Sequence, residues 1–419
     1  MKNNKEDMIR RVNEEDVEFI RLQFTDLHGR LKNMAVTASQ LEKAINNGCI
    51  FDAAAVEDYG SGSETEMYLY PDLDTFEIFP WRPQQGKVAR LFCDVYSIDR
   101  TPYAADPRRI LKNVIDKATS MGYEFRVGSE CEFFLFNTDE NAMPTTDTSE
   151  KAGYFDCGPI DFGENARRDI VLTLEQMNLV VESSHHEMAP AQHEIDFKYS
   201  DALGTADNIQ TFKLAVKTIA KRHGLHATFM PKPKTDCNGS GMHLNMSLTR
   251  GGKNIFYDKK DELGLSKEAY YFIGGLAKHI KAITAITNPI VNSYKRLSCG
   301  DRTIFRVPVA GQDGSRIELR SPDPSANPYL ALAVCLSAGL NGIEEKIMPP
   351  KGVLTKWTSK NTLPSNLMEA LNELGKDKLI RDTLGEPMYR MYTDIKKREW
   401  EEYQTQVTEW EKEQYLDRY

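Results

Sequence analysis

The sequence lacks the features of a membrane-spanning, secreted or nucleic-acid-coating protein. No apolar run approaches the length of a membrane-spanning helix, and the first residues are polar where a secretion signal would be apolar. The formal net charge of −9 argues against a chain that coats nucleic acid or an anionic lipid surface. We therefore expect a cytoplasmic protein with no membrane or nucleic-acid partner, in which local arginines bind any anionic ligand.

Cysteine is also scarce, and none of it is paired in sequence. The chain has seven cysteines, an odd number, scattered without a CxxC motif. This pattern argues against a disulfide framework, a zinc site and redox exchange, so we expect reduced and mostly packed thiols. The length of 419 residues exceeds one ordinary core and predicts two or three domains.

Strand and helix signals divide the chain near residues 101–107. Before this point, residues 18–24 alternate as a strand does, a turn follows at 26–29, and further short strands complete a compact αβ unit. The proline-containing segment then precedes an amphipathic helix over 108–121. Beyond it, strands alternate with long helices, predicted at residues 165–177, 205–223, 266–284 and 327–343. The tail from 394 to 419 is predicted to be a charged helix, whose aromatic end packs on its own domain or docks on a neighbouring subunit.

Five short strand-like segments carry acidic, imidazole or guanidinium side chains at alternate positions. They are residues 130–132, 185–187, 192–194, 243–247 and 316–320. Side chains two apart on a strand point the same way, so these segments can converge into one acid-lined pocket. Two carboxylates on one face of a buried sheet repel each other unless a cation or protons intervene. An oxygen-rich donor set with one imidazole predicts Mg²⁺ or Mn²⁺ rather than zinc.

Each of these segments also has a simpler interpretation. Glu130 and Glu132 could be solvated acids on an edge strand, and a single histidine such as His243 is often only a hydrogen-bonding group. His185 and His186 are adjacent, so at most one of them can share the face of the acidic residues. We expect both of these histidines to be packed or hydrogen-bonded.

Five arginines gather within about a tenth of the chain, although the protein is acidic overall. They are Arg296, Arg302, Arg306, Arg316 and Arg320. A Glu between two arginines, as Glu318 is, commonly forms an ion-pair ladder, which accounts for at least one of them. Planar guanidinium groups also match carboxylates and phosphates bidentately. Beside the acidic segments and the flexible loop 238–241, they predict a two-metal phosphoryl-transfer site.

Taken together, these motifs resemble those of type I glutamine synthetases over nearly the whole chain. Further matching segments are Phe51-Asp52 and residues 68–72, 153–156, 232–233, 292–297 and 323–329. The resemblance implies an α+β fold, with a small N-terminal β-grasp-like domain at residues 14–99 and a larger catalytic domain at 104–419 that ends in the helical tail. It also implies a homo-oligomer, a dodecamer of two stacked hexameric rings, with active sites shared between neighbouring subunits and the C-terminal helix gripping the opposite ring.

The resemblance also implies a role for each motif residue. The first metal ion would be held by Glu132, Glu187 and Glu194, and the second by Glu130, His243 and Glu318. Glutamate would be bound by Asn238, Gly239, Arg296 and Arg320, and the ATP phosphates by Ser247, Arg302, Arg306 and Arg316. Catalytic roles would fall to Arg320, Tyr154 and Asp52, with Asp52 reaching in from the adjacent subunit to capture ammonium. The implied reaction joins ammonia to the γ-carboxylate of L-glutamate through γ-glutamyl phosphate, giving glutamine, ADP and phosphate, with two or more Mg²⁺ or Mn²⁺ ions per site.

The chain departs from the family pattern after Leu297. The family carries there a longer loop, with a Gly-Tyr-Glu-Ala-Pro flap and then an Asn-Arg-Ser segment. Here only residues 298–303 intervene before the pattern resumes, so the flap and its glutamate are missing. Arg302 can stand in for the arginine of the Asn-Arg-Ser segment, and Asp301 could replace the lost carboxylate. The Gly-Ser-Ser that follows the Phe-Asp pair in the family is replaced by residues 53–55, all alanine.

Both departures fall around the amine half of the implied site and leave three functions open. The first is a working glutamine synthetase with a shortened lid. The second is a γ-glutamyl ligase for another primary amine, admitted by an opened entrance. The third is a catalytically weak homologue that serves nitrogen-status regulation. Because all six implied metal ligands remain, catalysis is favoured, and we predict the first function.

Overall fold

The computed structural model describes residues 4–57, 59, 65–300, 302–309, 311 and 314–419. Its helices are α1 (Lys5–Glu14), α2 (Leu41–Asn47), α3 (Pro107–Ser120), α4 (Glu164–Glu175), α5 (Ala202–Arg222), α6 (Lys267–Thr287), α7 (Val291–Leu297), α8 (Pro328–Glu344), α9 (Ser359–Thr362), α10 (Leu367–Lys376), α11 (Lys378–Leu384), α12 (Glu386–Gln404) and α13 (Glu409–Tyr415). Its strands are β1 (Val17–Thr25), β2 (Leu31–Thr37), β3 (Cys49–Asp52), β4 (Glu66–Pro71), β5 (Glu77–Ile78), β6 (Lys87–Tyr96), β7 (Glu124–Asn137), β8 (Val181–His186), β9 (Gln192–Asp201), β10 (Leu225–Thr228), β11 (Met242–Arg250), β12 (Lys253–Asn254), β13 (Phe305–Arg306) and β14 (Ile317–Leu319).

The N-terminal sheet is built on the predicted hairpin. Strands β1 and β2 pair in antiparallel register, and Gly29, with a φ of +77°, closes the turn between them. The sheet runs β2-β1-β6-β4-β3, with β5 also paired to β6, and β1 lies parallel to β6. The alternation predicted for residues 18–24 is confirmed, because Ile20 and Leu22 are fully buried in the core. This sheet and its helices form the small αβ unit that the sequence predicts.

The larger sheet carries the predicted acidic segments. Its strands run β13-β14-β11-β7-β9-β8, with β10 paired to β7 and β12 to β11, and all of these pairings are antiparallel. Strand β7 is central rather than an edge, since β11 and β9 flank its acidic segment on either side. The alternative of solvated acids on an edge strand is therefore wrong for Glu130 and Glu132.

Helix α8 forms the centre of the helical layer, and almost all of its residues are buried. It packs against α6 at a distance that only glycine permits. A Cβ atom on Gly275 would lie 2.0 Å from the carbonyl oxygen of Ala338, and one on Gly342 would lie 2.0 Å from that of Tyr271. Side chains at these two positions would force the helices apart, so the close packing depends on paired glycines.

The predicted helices are confirmed to within a few residues, and the tail is helical but interrupted. Helix α12 ends at Gln404, and α13 begins after Thr408, whose side chain accepts a hydrogen bond from the backbone N–H of Glu411 while the carboxylate of Glu411 accepts from Thr408. This capping box starts a new helix. Trp410 and Tyr415 contact each other and stay largely exposed. The aromatic end therefore does not pack on its own domain.

The two domains are joined by a buried guanidinium. Arg108 of α3 donates a bidentate pair of hydrogen bonds to Asp207 of α5, at 3.1 and 2.9 Å. It also donates to Asp94 and Asp72 of the N-terminal domain, at 2.7 and 2.9 Å. The guanidinium thus holds carboxylates of both domains, and the charges of Arg108 and Lys112 outweigh burial and lower the pKa of Asp94.

We predict that Arg108→Leu destabilises the protein by about 3–5 kcal/mol, because it leaves buried carboxylates without their partner. The midpoint of urea unfolding measures the effect. Arg109→Leu is the matched control, since Arg109 is partly exposed and has no ion pair among the described residues. An equal effect of the two substitutions would contradict the role of this junction.

Candidate active site

The acidic side chains lie on one face of the larger sheet, in two rows that cross the strands. In the first row, His243 of β11 pairs with Glu130 of β7, which in turn pairs with Asp196 of β9. The second row continues from Glu132 of β7 to Glu194 of β9 and then to His185 of β8. Like charges directly opposite each other destabilise a sheet, so both rows require a compensating positive charge. We call the residues of these two rows, together with Glu187 and Glu318 beside them, the acidic cluster.

His243 stands at the centre of the acidic cluster. Its Nδ1 atom lies 3.1 Å from Oε2 of Glu130 and 3.4 Å from Oε1 of Glu318, and its Nε2 atom lies 3.9 Å from Oε1 of Glu132. The side chain is largely buried and faces three carboxylates. Because a neutral imidazole has one donor and one acceptor nitrogen, it cannot satisfy all three carboxylates as a hydrogen-bond donor.

The remaining acids complete the cluster around Glu194. Glu187 follows β8, and its backbone N–H donates to Gln192 at the start of β9, which brings it beside Glu194. His185 lies between them, with Nε2 3.7 Å from Glu194 and Nδ1 3.8 Å from Glu187. The structure thus brings all six predicted metal ligands together. How they divide between two ions stays a prediction.

The ionisation of the acidic cluster reflects its crowding. Burial raises the pKa of Glu194 to about 12, and the neighbouring carboxylates act in the same direction. Burial likewise raises the pKa of Asp196 to about 6. At Glu130, burial acts upward, but the hydrogen bond and the charge of His243 lower the pKa to about 2. Full ionisation of the cluster therefore needs added positive charge, which a divalent cation supplies.

The donor set fits hard divalent cations. Two groups of three donor atoms lie within 4.8 Å of one another: Glu130, Glu194 and His243, and His185, Glu187 and Glu194. Oε1 of Glu318 and Oδ1 of Asp196 are buried, and neither accepts a hydrogen bond from the described residues. Carboxylate oxygens with few imidazoles are the ligands that Mg²⁺ and Mn²⁺ prefer.

A small pocket beside the cluster is lined by the residues that the resemblance assigns to glutamate. They are Asn238, Gly239, Arg296 and Arg320. A Cβ atom on Gly239 would lie 2.2 Å from the carbonyl oxygen of Pro231, so only glycine fits there. Arg296 donates to the carbonyl oxygens of Ser321 and Arg320, at 2.7 and 3.1 Å. This arginine therefore orders the backbone that carries Arg320.

A larger pocket, of about 560 Å³, opens on the other side of the acidic cluster. Ser247 and Arg316 line it together with Glu130 and Asp196. Asn245 connects the two halves, because its amide donates to Glu130 at 2.8 Å and its oxygen accepts from Arg316 at 3.0 Å. Asn245 thus holds both the first carboxylate row and Arg316, which the resemblance assigns to the nucleotide phosphates.

The four residues assigned to the nucleotide phosphates do not share one pocket. Arg302 lines the small pocket with Arg296 and Arg320 rather than the larger one. Arg306 is half-exposed and donates to Glu318, which also lies 3.2 Å from the guanidinium of Arg320. The ion pair expected from the sequence is therefore present between Glu318 and Arg320. The second partner of Glu318 is Arg306, because Arg316 donates to Asn245 instead.

The residues that the resemblance assigns to ammonium capture lie on both domains. Tyr154 is 55% exposed, stacks on Phe155 at 4.1 Å and meets the edge of His185. Asp52 ends β3 in the N-terminal domain, where it is exposed and accepts from the backbone N–H of Ala54. Among the described residues, Asp52 makes no hydrogen bond or ion pair with the acidic cluster. Asp301, considered as a replacement carboxylate, lies outside the described residues.

Three members of this face have no predicted role, although the strand alternation could have identified them. Asp196 lies two residues after Glu194, and Asn245 lies two after His243, so both share the face of a predicted ligand. His185 is hydrogen-bonded as expected, with Nδ1 3.4 Å from the carbonyl oxygen of His186, and it also faces Glu187 and Glu194.

The opposite face of β8 and β9 carries a buried polar layer. His186 and His193 pair across the strands with no exposed surface. His186 donates from Nδ1 to the carbonyl of Glu187 at 2.7 Å, and from Nε2 to Glu150 at 2.8 Å. An oxygen lies beside each nitrogen, an arrangement that favours the doubly protonated imidazolium. Burial opposes its charge, but these hydrogen bonds outweigh it and raise the pKa of His186. The expectation that His186 is hydrogen-bonded is confirmed.

Glu150, His186 and His193 also have the spacing of a metal site. Their hydrogen bonds argue against one. Arg167 donates to Nδ1 of His193 at 2.8 Å, so a neutral His193 carries its proton on Nε2 and has no free lone pair there. Both nitrogens of His186 are already donors. The layer is therefore an ion-pair network that supports the strands beneath Glu187 and Glu194.

Models of known protein families match nearly the whole chain. Two family models match, the glutamine synthetase β-grasp domain over residues 16–98 and the glutamine synthetase catalytic domain over residues 104–415. These domains define an amide ligase that uses ATP. The chain belongs to the glutamine synthetase family, of type I, and the predicted α+β fold with an N-terminal β-grasp domain is confirmed. No helix among the described residues has the length and apolarity to cross a membrane.

Individual relatives span the full chain. A curated glutamine synthetase of Clostridium saccharobutylicum is 54% identical, covering 100% of both chains, and one of Staphylococcus aureus strain Mu50 is 48% identical, covering 99% of this chain and 98% of its own. A solved GmaS/ADP complex is 33% identical, with a TM-score of 0.89 over 98% of this chain and 99% of its own. The glutamine synthetase of Plasmodium falciparum, at 24% identity and a TM-score of 0.90 over 99% of each chain, shares the fold.

One alignment also bears on the shortened segment. The match to the clostridial enzyme extends over 441 positions, whereas this chain has 419 residues, so at least 22 positions hold no residue of this chain. A deficit of this total size is large enough to include the flap after Leu297 that the motif comparison finds missing.

We predict that Glu150→Ala lowers the free energy of unfolding by about 3–5 kcal/mol, because it leaves the buried imidazolium of His186 unpaired. Two backbone N–H groups, of Phe162 and Ala191, lose their acceptor as well. The shift of the urea unfolding midpoint tests this. Glu150→Gln, which keeps an acceptor oxygen, should cost less, and an unchanged midpoint in the alanine variant would disprove the ion-pair assignment.

Proposed function

We propose that this protein joins ammonia to the γ-carboxylate of L-glutamate through γ-glutamyl phosphate, converting ATP to ADP and phosphate and releasing glutamine. The observation that carries the proposal is the acidic cluster, in a chain of the glutamine synthetase family. A cluster that needs added cations, between an arginine-lined small pocket and a larger pocket, suits in-line phosphoryl transfer.

The metal-binding role falls to the six predicted ligands. They are Glu130, Glu132, Glu187, Glu194, His243 and Glu318, and they would hold two or more Mg²⁺ or Mn²⁺ ions. When bound, such ions neutralise the negative charge that spreads over the transferred phosphoryl group. Asp196, in the row of Glu130, offers a further carboxylate toward the larger pocket.

The phosphates of ATP would occupy the larger pocket. Ser247 and Arg316 would bind them there, and Asn245 fixes Arg316 relative to Glu130. Arg302 and Arg306, beside the small pocket and Glu318, would meet the terminal phosphate where it approaches glutamate. Arginine suits this role because its planar donors stay charged and fit phosphate oxygens.

Glutamate would lie in the small pocket. Asn238 and Gly239 supply the loop against which its backbone end fits, and Arg296 and Arg320 supply positive charge for its carboxylates. Two N–H groups of Arg296 already donate to the backbone carbonyls of residues 320 and 321. Arg320 is therefore the residue that would contact the reacting γ-carboxylate.

The amine would enter beside Tyr154 and Glu187, with Asp52 supplied by a neighbouring subunit. Supporting this, Asp52 is exposed on the N-terminal domain, and the large apolar side chains of Tyr154, Phe155 and Met188 are exposed at the site, as expected of a surface that another chain covers. The dodecamer of two stacked hexamers follows as the proposed assembly. Capture of ammonium by carboxylates precedes its deprotonation.

A second candidate is a γ-glutamyl ligase for a larger primary amine. The specific observation that favours it is the shortened segment after Leu297, where only residues 298–303 intervene before the family pattern resumes. Without the family's flap, the entrance beside Tyr154 is less enclosed. The two candidates share every step up to γ-glutamyl phosphate and differ only in the acceptor.

We predict that the purified protein, given Mg²⁺, ATP and glutamate, releases phosphate faster when ammonium is added, because amide formation regenerates the empty site. A coupled phosphate assay, with glutamine measured by chromatography, checks both products. Stimulation by methylamine but not by ammonium would establish the second candidate instead. Nucleotide binding without turnover would contradict both.

We predict that Glu130→Ala and Glu318→Ala each abolish metal-dependent turnover and weaken Mn²⁺ binding by at least about 10–100-fold, the loss typical of even an outer-sphere partner. Titration of Mn²⁺ followed by paramagnetic resonance gives the affinity directly. Glu124→Ala is the matched control, since Glu124 is an exposed residue of the same strand, away from the acidic cluster. Unaltered binding in the two test variants would refute the ligand assignment.

A further inference from the structure

A cavity of about 1060 Å³ lies between the two domains, apart from both pockets of the active site. Its walls are the β1–β2 turn (residues 27–32), one face of α5, the segment 286–291 and one face of α12. None of the residues assigned to metal, glutamate or nucleotide lines it. A space of this size is ample for a small molecule.

The charge of the cavity opposes that of the chain. Among its described lining residues are six lysines and arginines and three glutamates, whereas the whole chain has a net charge of −9. The basic residues are Arg30, Lys32, Lys213, Lys217, Lys396 and Arg398. An acidic protein that gathers positive charge in one open cavity, as this one does with the partly buried Lys213 and the exposed Lys217, creates a local attraction for anions.

Three of these cations form ion pairs with known carboxylate partners. Arg30 pairs with Glu57 at 2.6 Å, Lys32 with Asp26 at 3.5 Å and Lys396 with Glu399 at 2.8 Å. Lys213 and Lys217 differ, because no carboxylate oxygen of the described residues lies within 4.0 Å of either ammonium nitrogen. These two lysines carry the uncompensated charge of the cavity.

The two lysines stand one turn apart on α5, on the same helix face, where like charges repel. Lys213 donates to the carbonyl oxygen of Ala326 at 3.4 Å, which uses one of its three N–H groups. Lys217 lies 5.8 Å from the centre of the Phe229 ring. Burial lowers the pKa of Lys213 to about 8, and the charge of Lys217 acts in the same direction. Donors remain on both ammonium groups, without an acceptor among the described residues.

We propose that the cavity binds a small oxyanion with two negative charges, such as phosphate or a dicarboxylate, between the ammonium groups of Lys213 and Lys217. The bound anion accepts the spare N–H groups and removes the repulsion along α5. Because the β1–β2 turn of the other domain forms the opposite wall, the anion also links the two domains. This site is independent of the active site, and its ligand is a second anion rather than a substrate.

The test compares anion binding by the full-length protein and its variants. Inorganic phosphate and succinate are titrated calorimetrically at constant ionic strength, with ADP at saturation so that the nucleotide pocket is filled. We expect one or both anions to bind, and the double variant K213Q/K217Q to bind at least about tenfold more weakly, the factor expected for one lost charge-assisted hydrogen bond. The arms of the titration show which oxyanion the cavity prefers.

Two further variants serve as controls. K259Q/K260Q removes the same charge from an exposed loop outside the cavity and should bind like the unmodified protein. K213R/K217R keeps both charges and should retain binding, which separates charge from folding. Equal binding by K213Q/K217Q, or complete loss of anion binding once ADP is present, would overturn the proposal. Altered sedimentation of K213Q/K217Q with unchanged anion binding would instead assign the cavity to contact with a second copy.

Discussion

The structure depends on one electrostatic constraint, the placing of like charges directly opposite one another on a buried sheet. Antiparallel pairing sets Glu130 directly opposite Asp196 and Glu132 directly opposite Glu194, an arrangement that destabilises a sheet unless the charges are compensated. Among the described residues, His243, Arg296 and the arginines at Glu318 offset part of these charges. The protein alone therefore lacks the positive charge that the fully ionised carboxylates require. The divalent cations expected for this family would supply that charge.

The other face of the same strands packs into the core. Residues alternate, so each predicted ligand of β7, β9 and β11 is followed by a side chain that enters the core, including Cys131, Ile195 and Leu244, all fully buried. Where β8 and β9 pair, the hidden face carries the His186–Glu150 ion pair instead. Rigid packing below thus fixes the carboxylates above, which is the condition for a preorganised electrostatic site.

The sequence predicts local features, such as strands and helices, but not which distant segments pair in the sheet. Alternation in residues 18–24 and 243–247, and the long helices, are local patterns, and the structure has them. Which strand lies beside which depends on register between segments far apart, so the opposition of Glu130 and Asp196 could not be read in advance. The separation of Arg302 from Ser247 and Arg316 likewise depends on the path of the shortened segment. Asp196 is different, because it lies two residues after Glu194 and strand alternation alone places it on the same face.

The Arg108 junction has a consequence for how this protein can be divided. Its guanidinium belongs to the catalytic domain, yet two of the three carboxylates that surround it come from the N-terminal domain. Severing the chain between the domains would separate this buried cation from two of its three carboxylate partners. Each fragment would then expose charged groups that are paired in the intact protein. Neither half is a portable module, and gene fusions or chimaeras that exchange one domain must carry the matching aspartates with it.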